Sequence, residues 1–297
     1  MATEANLVGE DRIGRYRVVR MLSLGQASEI MEVAQEGSNK RFALKQLLES
    51  RGYDRDEQKA FEHEAKLGMD LSHPKLIRVY EYVKDKRRPY FVMEYFPSHH
   101  LRLAIGKPQD HPLPGEKRHR IVEQVSGALA YMHDKGWIHR DIKPENILFN
   151  KAGEARLIDY ALALKVKTGF GKMFGGKVKC QGTHSYMSPE QIRCEPPAPT
   201  SDIYSFGITC YELASGRPPF RANSATELLS KHLQEQPIPP IAHNKKITTE
   251  FSDLIMKMIK KRPADRIKSL HEFNSQFMRI RIYSDDPDPQ AGRIDLQ

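Results

Sequence analysis

The feature that most restricts how this chain can fold is a change of hydrophobic period at Phe96-Pro97-Ser98. Before it lie short segments rich in Val, Ile, Tyr and Phe: Tyr16 to Leu22, Ile30 to Val33, Arg41 to Leu47, Leu76 to Tyr82 and Tyr90 to Tyr95. Their length and composition predict strands. One helix interrupts them, from about Asp56 to Leu71, where Phe61, Ala65 and Met69 recur at helical spacing until Ser72-His73-Pro74 stops the run. After Ser98 the pattern is helical. Ile121, Val125, Leu129 and Met132 fall on one face before Gly136, and further helices are expected over Ser201 to Ser215, Ser224 to Gln234 and Phe251 to Lys260. A last one opens with Ser269 and Glu272 in capping-box spacing. The expected class is α+β: a sheet-rich first lobe and a helix-rich second lobe, joined near Glu94 to Pro97, with a cleft where a ligand would bind.

Composition excludes little but excludes it firmly. A chain of 297 residues with 39% apolar and 29% charged residues can bury a substantial core and is not a disordered one. No leader and no apolar run long enough to span a bilayer is visible. Cys180, Cys194 and Cys210 form no CxxC pair and cannot all pair with one another, which suits a reducing compartment, so the expected location is cytoplasmic. The formal charge of +9 admits acidic partners. It concentrates at Lys165, Lys167, Lys172, Lys177 and Lys179; no nucleic-acid motif accompanies it, and nucleic acid is not expected as a partner.

The chemistry sits in His139-Arg140-Asp141-Ile142-Lys143-Pro144-Glu145-Asn146. Here an acid, a lysine two residues on and an asparagine five residues on share one loop, which places a proton acceptor, a cation and a neutral metal ligand around one point. Lys45 in Phe42-Ala43-Leu44-Lys45 and Asp159 in Leu157-Ile158-Asp159-Tyr160-Ala161 add a cation upstream and an acid downstream. In this combination the chain resembles the eukaryotic-type (Hanks-type) protein serine/threonine kinases over roughly Tyr16 to Arg279. The run from Gly182-Thr183 to Ser188-Pro189-Glu190-Gln191 is similar to the bacterial branch.

The resemblance implies a two-lobed kinase fold, with a small antiparallel-sheet lobe carrying one main helix (14–95), a larger helical lobe (96–281) and an ATP cleft between them. Residues 1–13 would be an extension and 282–297 a flexible tail. It implies ATP and Mg²⁺, with Mn²⁺ as an alternative, and transfer of the γ-phosphoryl group to Ser/Thr hydroxyls of protein substrates. Asp141 would be the catalytic acceptor and Lys143 its companion, with Lys45 gripping the nucleotide phosphates and Glu64 as the partner of Lys45. Asn146 and Asp159 would hold metal. Leu22, Gly25, Ile30, Ala43, Met93, Glu94, Phe96 and Leu148 would contact the nucleotide. Thr183 would sit near Asp141 and Lys143, Asp202 would tie the catalytic loop to a core helix, and Glu190 would pair with Arg266.

Departures from the family pattern leave activity open. The phosphate-covering loop keeps one glycine, Gly25, where Ser23 and Ser28 replace others and Glu29 would repel phosphate. Ala161 stands for a glycine, and Gly68 for a bulky residue whose gap Met69 would partly fill. These changes favour the alternative of an ATP-binding scaffold with little turnover. The segment from Gly169 to Gly182 holds no Ser, Thr or Tyr, and its usual phosphosite falls on Lys179. The expectation is a kinase that is constitutively competent, or one ordered by an acidic partner or ligand on Lys172, Lys177 and Lys179.

Overall fold

The computed structural model describes residues 12–166 and 180–291, which form two compact units. The lysines at 167, 172, 177 and 179, with Thr168, lie outside the described residues.

The first unit, up to Ser72 with Ile77–Pro97, is an antiparallel sheet backed by one helix. Its strands are β1 (Arg12–Ile13), β2 (Tyr16–Leu24), β3 (Ser28–Gln35), β4 (Arg41–Leu47), β5 (Val79–Val83) and β6 (Tyr90–Glu94), in the order β1-β2-β3-β4-β6-β5. The helix, α1 (Arg55–Asp70), starts at Asp54, whose carboxylate accepts the N–H groups of Asp56 and Glu57. Because side chains alternate along a strand, the sheet has two cores. Ile13, Tyr16, Met31, Val33, Phe42, Leu44 and Val92 fill one face; Leu47 and Phe91 pack with Phe61 and Ala65 of α1 on the other. Leu76, expected at the start of β5, belongs instead to the second unit, where it bridges to Leu157.

The second unit comprises His73–Leu76 and the chain from Ser98. It contains β7 (His99–His100), α2 (Leu101–Gly106), α3 (Gly115–Asp134), β8 (Trp137–Ile138), β9 (Ile147–Phe149), β10 (Ala155–Leu157), β11 (Leu164–Lys165), α4 (Pro189–Ile192), α5 (Pro199–Ser215), α6 (Ala225–Gln234), α7 (Thr249–Met258) and α8 (Leu270–Phe277). The centre is α5, of which thirteen residues from Ser201 to Ala214 are buried, and Gly216 ends it in the left-handed conformation that favours glycine. Small sheets, β10-β9-β7 and β11-β8, frame the loops that follow α3. The Ser269 hydroxyl accepts Glu272 N–H, but the Glu272 carboxylate turns to Lys268 N–H, so the expected box is only half formed; a complete one caps α4 through Ser188 and Gln191. Past α8 the chain is tied down as far as Asp286, which pairs with Arg118 at 3.0 Å, while Tyr283 donates to Ala214 O at 2.7 Å. None of the helices among the described residues is long and apolar enough to cross a membrane.

His232, buried in α6 against Phe220 and bonded to the Tyr204 hydroxyl at 2.9 Å, makes the fold pH-sensitive. Burial, with the Lys261 charge, pushes its imidazole from 6.5 down to about 3. The folded residue therefore stays neutral where the unfolded one takes up a proton. Stability present above pH ~6.5 is lost as pH falls toward ~3, by up to about 1.4 kcal/mol per pH unit. Urea unfolding at pH 7 and pH 5 should show a loss that is about 2 kcal/mol smaller in His232→Gln.

Candidate active site

In the first unit, β4 presents Lys45 opposite Ile30 and Phe91, and Ala43 opposite Met93. Directly opposed residues share a sheet face, so Ile30, Ala43, Lys45 and Met93 line up on the side covered by α1. There Lys45 Nζ bonds both carboxylate oxygens of Glu64, at 2.7 and 2.8 Å, with both side chains largely buried. The pair expected from sequence is thus formed within one unit. Gly25 N–H donates to Ser28 O at 2.9 Å, closing the turn between β2 and β3, and Leu22 is exposed. Glu94, at the end of β6, donates its N–H to Arg78 O at 2.9 Å, and Phe96 follows it, half-buried.

Two expectations about this unit are corrected. Glu29 sits opposite Gln46, on the face away from Lys45, and pairs with Arg88 at 2.9 Å. It is therefore neither aimed at a phosphate bound by Lys45 nor unneutralised. Met69 is exposed and does not fill the space beside Gly68, because one residue along a helix turns a side chain by about 100°.

The second unit gathers the residues of the His139–Asn146 loop. Asp141 Oδ1 accepts the Thr183 hydroxyl at 2.8 Å and its N–H at 3.1 Å. Lys143 Nζ donates to Asp141 Oδ2 at 2.6 Å and to Thr183 Oγ1 at 2.8 Å. Asn146 Nδ2 donates to Asp141 O at 2.8 Å and Oδ2 at 3.2 Å, which fixes the orientation of its amide. Ile158 N–H donates to Asn146 O at 3.0 Å, so Asp159 adjoins Asn146. Leu148, on β9, is half-buried in this same unit.

Two of these positions carry backbone strain. Asp159 and Arg140 have φ of 71° and 70°, a region that residues with side chains seldom enter, and such strain concentrates at functional sites. Ala161 is not among the positive-φ residues, so it does not need the glycine the family pattern would place there. Its N–H donates to Asp159 Oδ1 at 3.3 Å, and Tyr160 between them is buried, edge-on to His139.

The loop is held from beneath by buried charge. Asp202 Oδ2 and Oδ1 accept the N–H groups of His139 and Arg140, both at 2.8 Å, and Oδ2 meets His133 Nε2 at 2.9 Å. Burial opposes ionisation of Asp202, yet these bonds hold its carboxyl below the usual range. Glu190 and Arg266 form a buried bidentate pair at 2.7 and 2.8 Å. Burial opposes ionisation of Glu190 too, and Arg266 outweighs it. Gln191 Nε2 donates to Arg140 O at 2.9 Å and joins the loop to α4.

One cluster escaped the sequence reading. Arg102 at the start of α2 bonds Glu145 at 2.8 Å and Glu212 at 2.5 and 3.1 Å, and reaches the Tyr186 hydroxyl, which donates to Glu212 at 2.5 Å. It anchors Glu145, inside the catalytic-loop motif, to α5. Glu145 was visible in the motif, but nothing local points to a partner 43 residues upstream or to one on α5. The cysteine reading also changes. Cys180 and Cys194 are joined as a disulfide with Cα atoms 5.0 Å apart, because the segment between them folds back, while Cys210 is free and buried.

The Asn146 amide and the Asp159 carboxylate offer oxygen donors of the kind a hard cation such as Mg²⁺ takes, and would leave other positions to water and phosphate. Among the described residues no cluster of three or more His, Cys, Asp or Glu offers an alternative metal site.

Comparison with known proteins agrees with this geometry. The protein kinase domain model matches residues 16–278. The chain is 30% identical over 284 residues to the serine/threonine-protein kinase PknB of Mycobacterium leprae, covering 94% of this chain and 44% of that protein. It is 31% identical over 281 residues to the serine/threonine-protein kinase pkn3 of Myxococcus xanthus, covering 92% and 51%. A probable serine/threonine-protein kinase of Streptomyces coelicolor, SCO3848, is 30% identical over 273 residues, 91% of this chain and 39% of that protein. The chain spans about half the length of the curated relatives it matches, or less. It belongs to the protein kinase domain family, in the bacterial Hanks-type serine/threonine branch.

Proposed function

We propose that this chain transfers the γ-phosphoryl group of ATP to Ser or Thr hydroxyls of proteins. The observation that carries the reading is the Asp141, Lys143 and Thr183 triangle: Asp141 Oδ1 already accepts a bond from an alcohol at 2.8 Å, the relation a general base needs to a nucleophilic hydroxyl. Lys143, 2.6 Å from Asp141 Oδ2 and 2.8 Å from that hydroxyl, supplies positive charge where charge develops on the phosphoryl oxygens. Asn146 and Asp159 are the proposed metal ligands, and bound Mg²⁺ would neutralise phosphate charge. Lys45, set by Glu64, is the proposed grip on the nucleotide phosphates, with Leu22, Gly25, Ile30, Ala43, Met93, Glu94, Phe96 and Leu148 the proposed nucleotide contacts. The family generally uses ATP and Mg²⁺, and its substrates are proteins.

The scaffold alternative rests on Ser23, Ser28, Gly68 and Ala161. Against it stand the Lys45–Glu64 pair, formed despite Gly68, and the placement of Glu29 away from Lys45. The test is transfer of label from γ-labelled ATP to a generic basic protein as Mg²⁺ is titrated. Transfer should vanish with chelator and fall at least about 100-fold in Lys45→Ala, the order of loss for one strong electrostatic contact. Label that survives both treatments, or none at any metal concentration, overturns the reading.

A further inference from the structure

Cys180 and Cys194 close a loop with a sequence separation of 14, and that loop contains Thr183 on Asp141 and Lys143, Gln191 on Arg140 O, and Glu190 on Arg266. Cys180 is exposed and Cys194 half-buried, so at least one sulfur is within reach of a solute. Cys194 adopts φ 55°, and its N–H donates to Gln191 O at 3.0 Å, which ends α4 and turns the residue toward the start of the loop. The Cα separation of 5.0 Å lies within the range a disulfide spans without backbone movement. The third cysteine, Cys210, is fully buried in α5, where burial pushes its thiol up, so it is not a competing partner.

We propose that Cys180 and Cys194 are a reversible redox modification site that closes the 181–193 segment into a covalent loop when oxidised, holding Thr183 beside Asp141, and frees its leading end when reduced. Downstream, the loop is fixed by the Glu190–Arg266 pair and the Ser188 capping box, which do not depend on sulfur oxidation. Upstream of Gly182 the covalent tie is the bridge itself. Its loss restores conformational freedom to the strand of chain that carries Thr183 toward Asp141.

With hydrogen peroxide as the oxidant, the exposed Cys180 thiolate attacks one peroxide oxygen. The O–O bond breaks, hydroxide leaves and Cys180 becomes a sulfenic acid. The Cys194 thiolate then attacks that sulfur, the S–S bond forms and a second hydroxide leaves; the hydroxides take up the two thiol protons as water. Two thiols have lost two electrons and the peroxide has gained them. A dithiol reverses the change by thiol–disulfide exchange through a mixed disulfide, its own thiols ending oxidised. Where thiols are kept reduced, a pair of this kind is transient and responds to oxidant.

That a protein substrate would bind against this loop, which holds Thr183 beside Asp141, rests on the kinase reading; the pairing and the loop's release do not. The full chain is equilibrated over a series of reduced and oxidised glutathione, with a peroxide arm, and digested with trypsin after thiol trapping. Cleavage after Lys179, Arg193 and Arg221, the Arg217–Pro218 bond being resistant, puts the two cysteines at the heads of peptides 180–193 and 194–221. These peptides should appear linked through Cys180 and Cys194 in oxidising buffers, separate on adding dithiothreitol, and never link in Cys180→Ser or Cys194→Ser. Amide hydrogen exchange over 181–187 should be at least about fivefold faster in the reduced chain and in Cys180→Ser in either buffer. The KM for a peptide substrate should rise with it while the KM for ATP holds. Absence of the linked peptides at every ratio, or linkage with unchanged exchange, overturns the proposal. Linkage and protection in a chain that transfers no phosphoryl group would uphold the redox pair and overturn the kinase reading instead.

Discussion

Asp141→Asn should lower kcat for phosphoryl transfer about 1,000-fold, within the 10²–10⁴ range for loss of a positioned general base. The substitution keeps the volume of the side chain and an oxygen that can accept from Thr183, so the urea midpoint should change little. The KM for ATP should hold within about twofold, because the proposed phosphate contacts are made by other residues. Loss of activity together with unfolding would instead assign Asp141 a structural part, through its bonds to Lys143, Asn146 and Thr183. Steady-state kinetics and urea unfolding on the same preparation separate these outcomes.

The largest stability effect should come from the Glu190–Arg266 pair. Arg266→Met leaves the Glu190 carboxylate buried with the Ser201 hydroxyl as its remaining side-chain donor, and the expected cost is about 3–5 kcal/mol. Arg266 also donates to the carbonyls of Thr200, Lys260 and Lys261, so the loss extends to the turn before α8. Replacing both partners, Glu190→Leu with Arg266→Met, should recover a good part of the loss, since it removes the stranded charge. Urea unfolding of the two single variants and the double variant measures this. A single variant that costs under about 1 kcal/mol would show that the pair is not the tie holding α4 to the rest of the unit.

What the sequence could and could not reveal follows from the range over which each interaction acts. The strands from Tyr16 to Leu47 and the helices after Ser201 were legible because alternation and helical spacing are local. The Lys45–Glu64 pair and the Asp141, Lys143, Asn146 group were legible as motifs in which order along the chain stands in for geometry. Glu29 was misjudged because proximity in sequence to the glycine turn hides which sheet face a side chain takes; one residue's offset moved it to Arg88. Met69 was misjudged for the same reason on a helix. Arg102 and Glu212, 110 residues apart, meet only after α2 and α5 are placed, and no spacing rule anticipates that. The Cys180–Cys194 contact depends on a loop folding back on α4, so the absence of a CxxC motif was poor evidence against pairing.

The central claim is that the Asp141 loop phosphorylates protein hydroxyls. Phosphoamino-acid analysis of a basic protein incubated with γ-labelled ATP, Mg²⁺ and this chain tests it most directly. Label on phosphoserine or phosphothreonine with the unaltered chain, and none above background with Asp141→Asn, is the expected result. Equal labelling by both chains, or labelling by neither while ATP still binds, would contradict it.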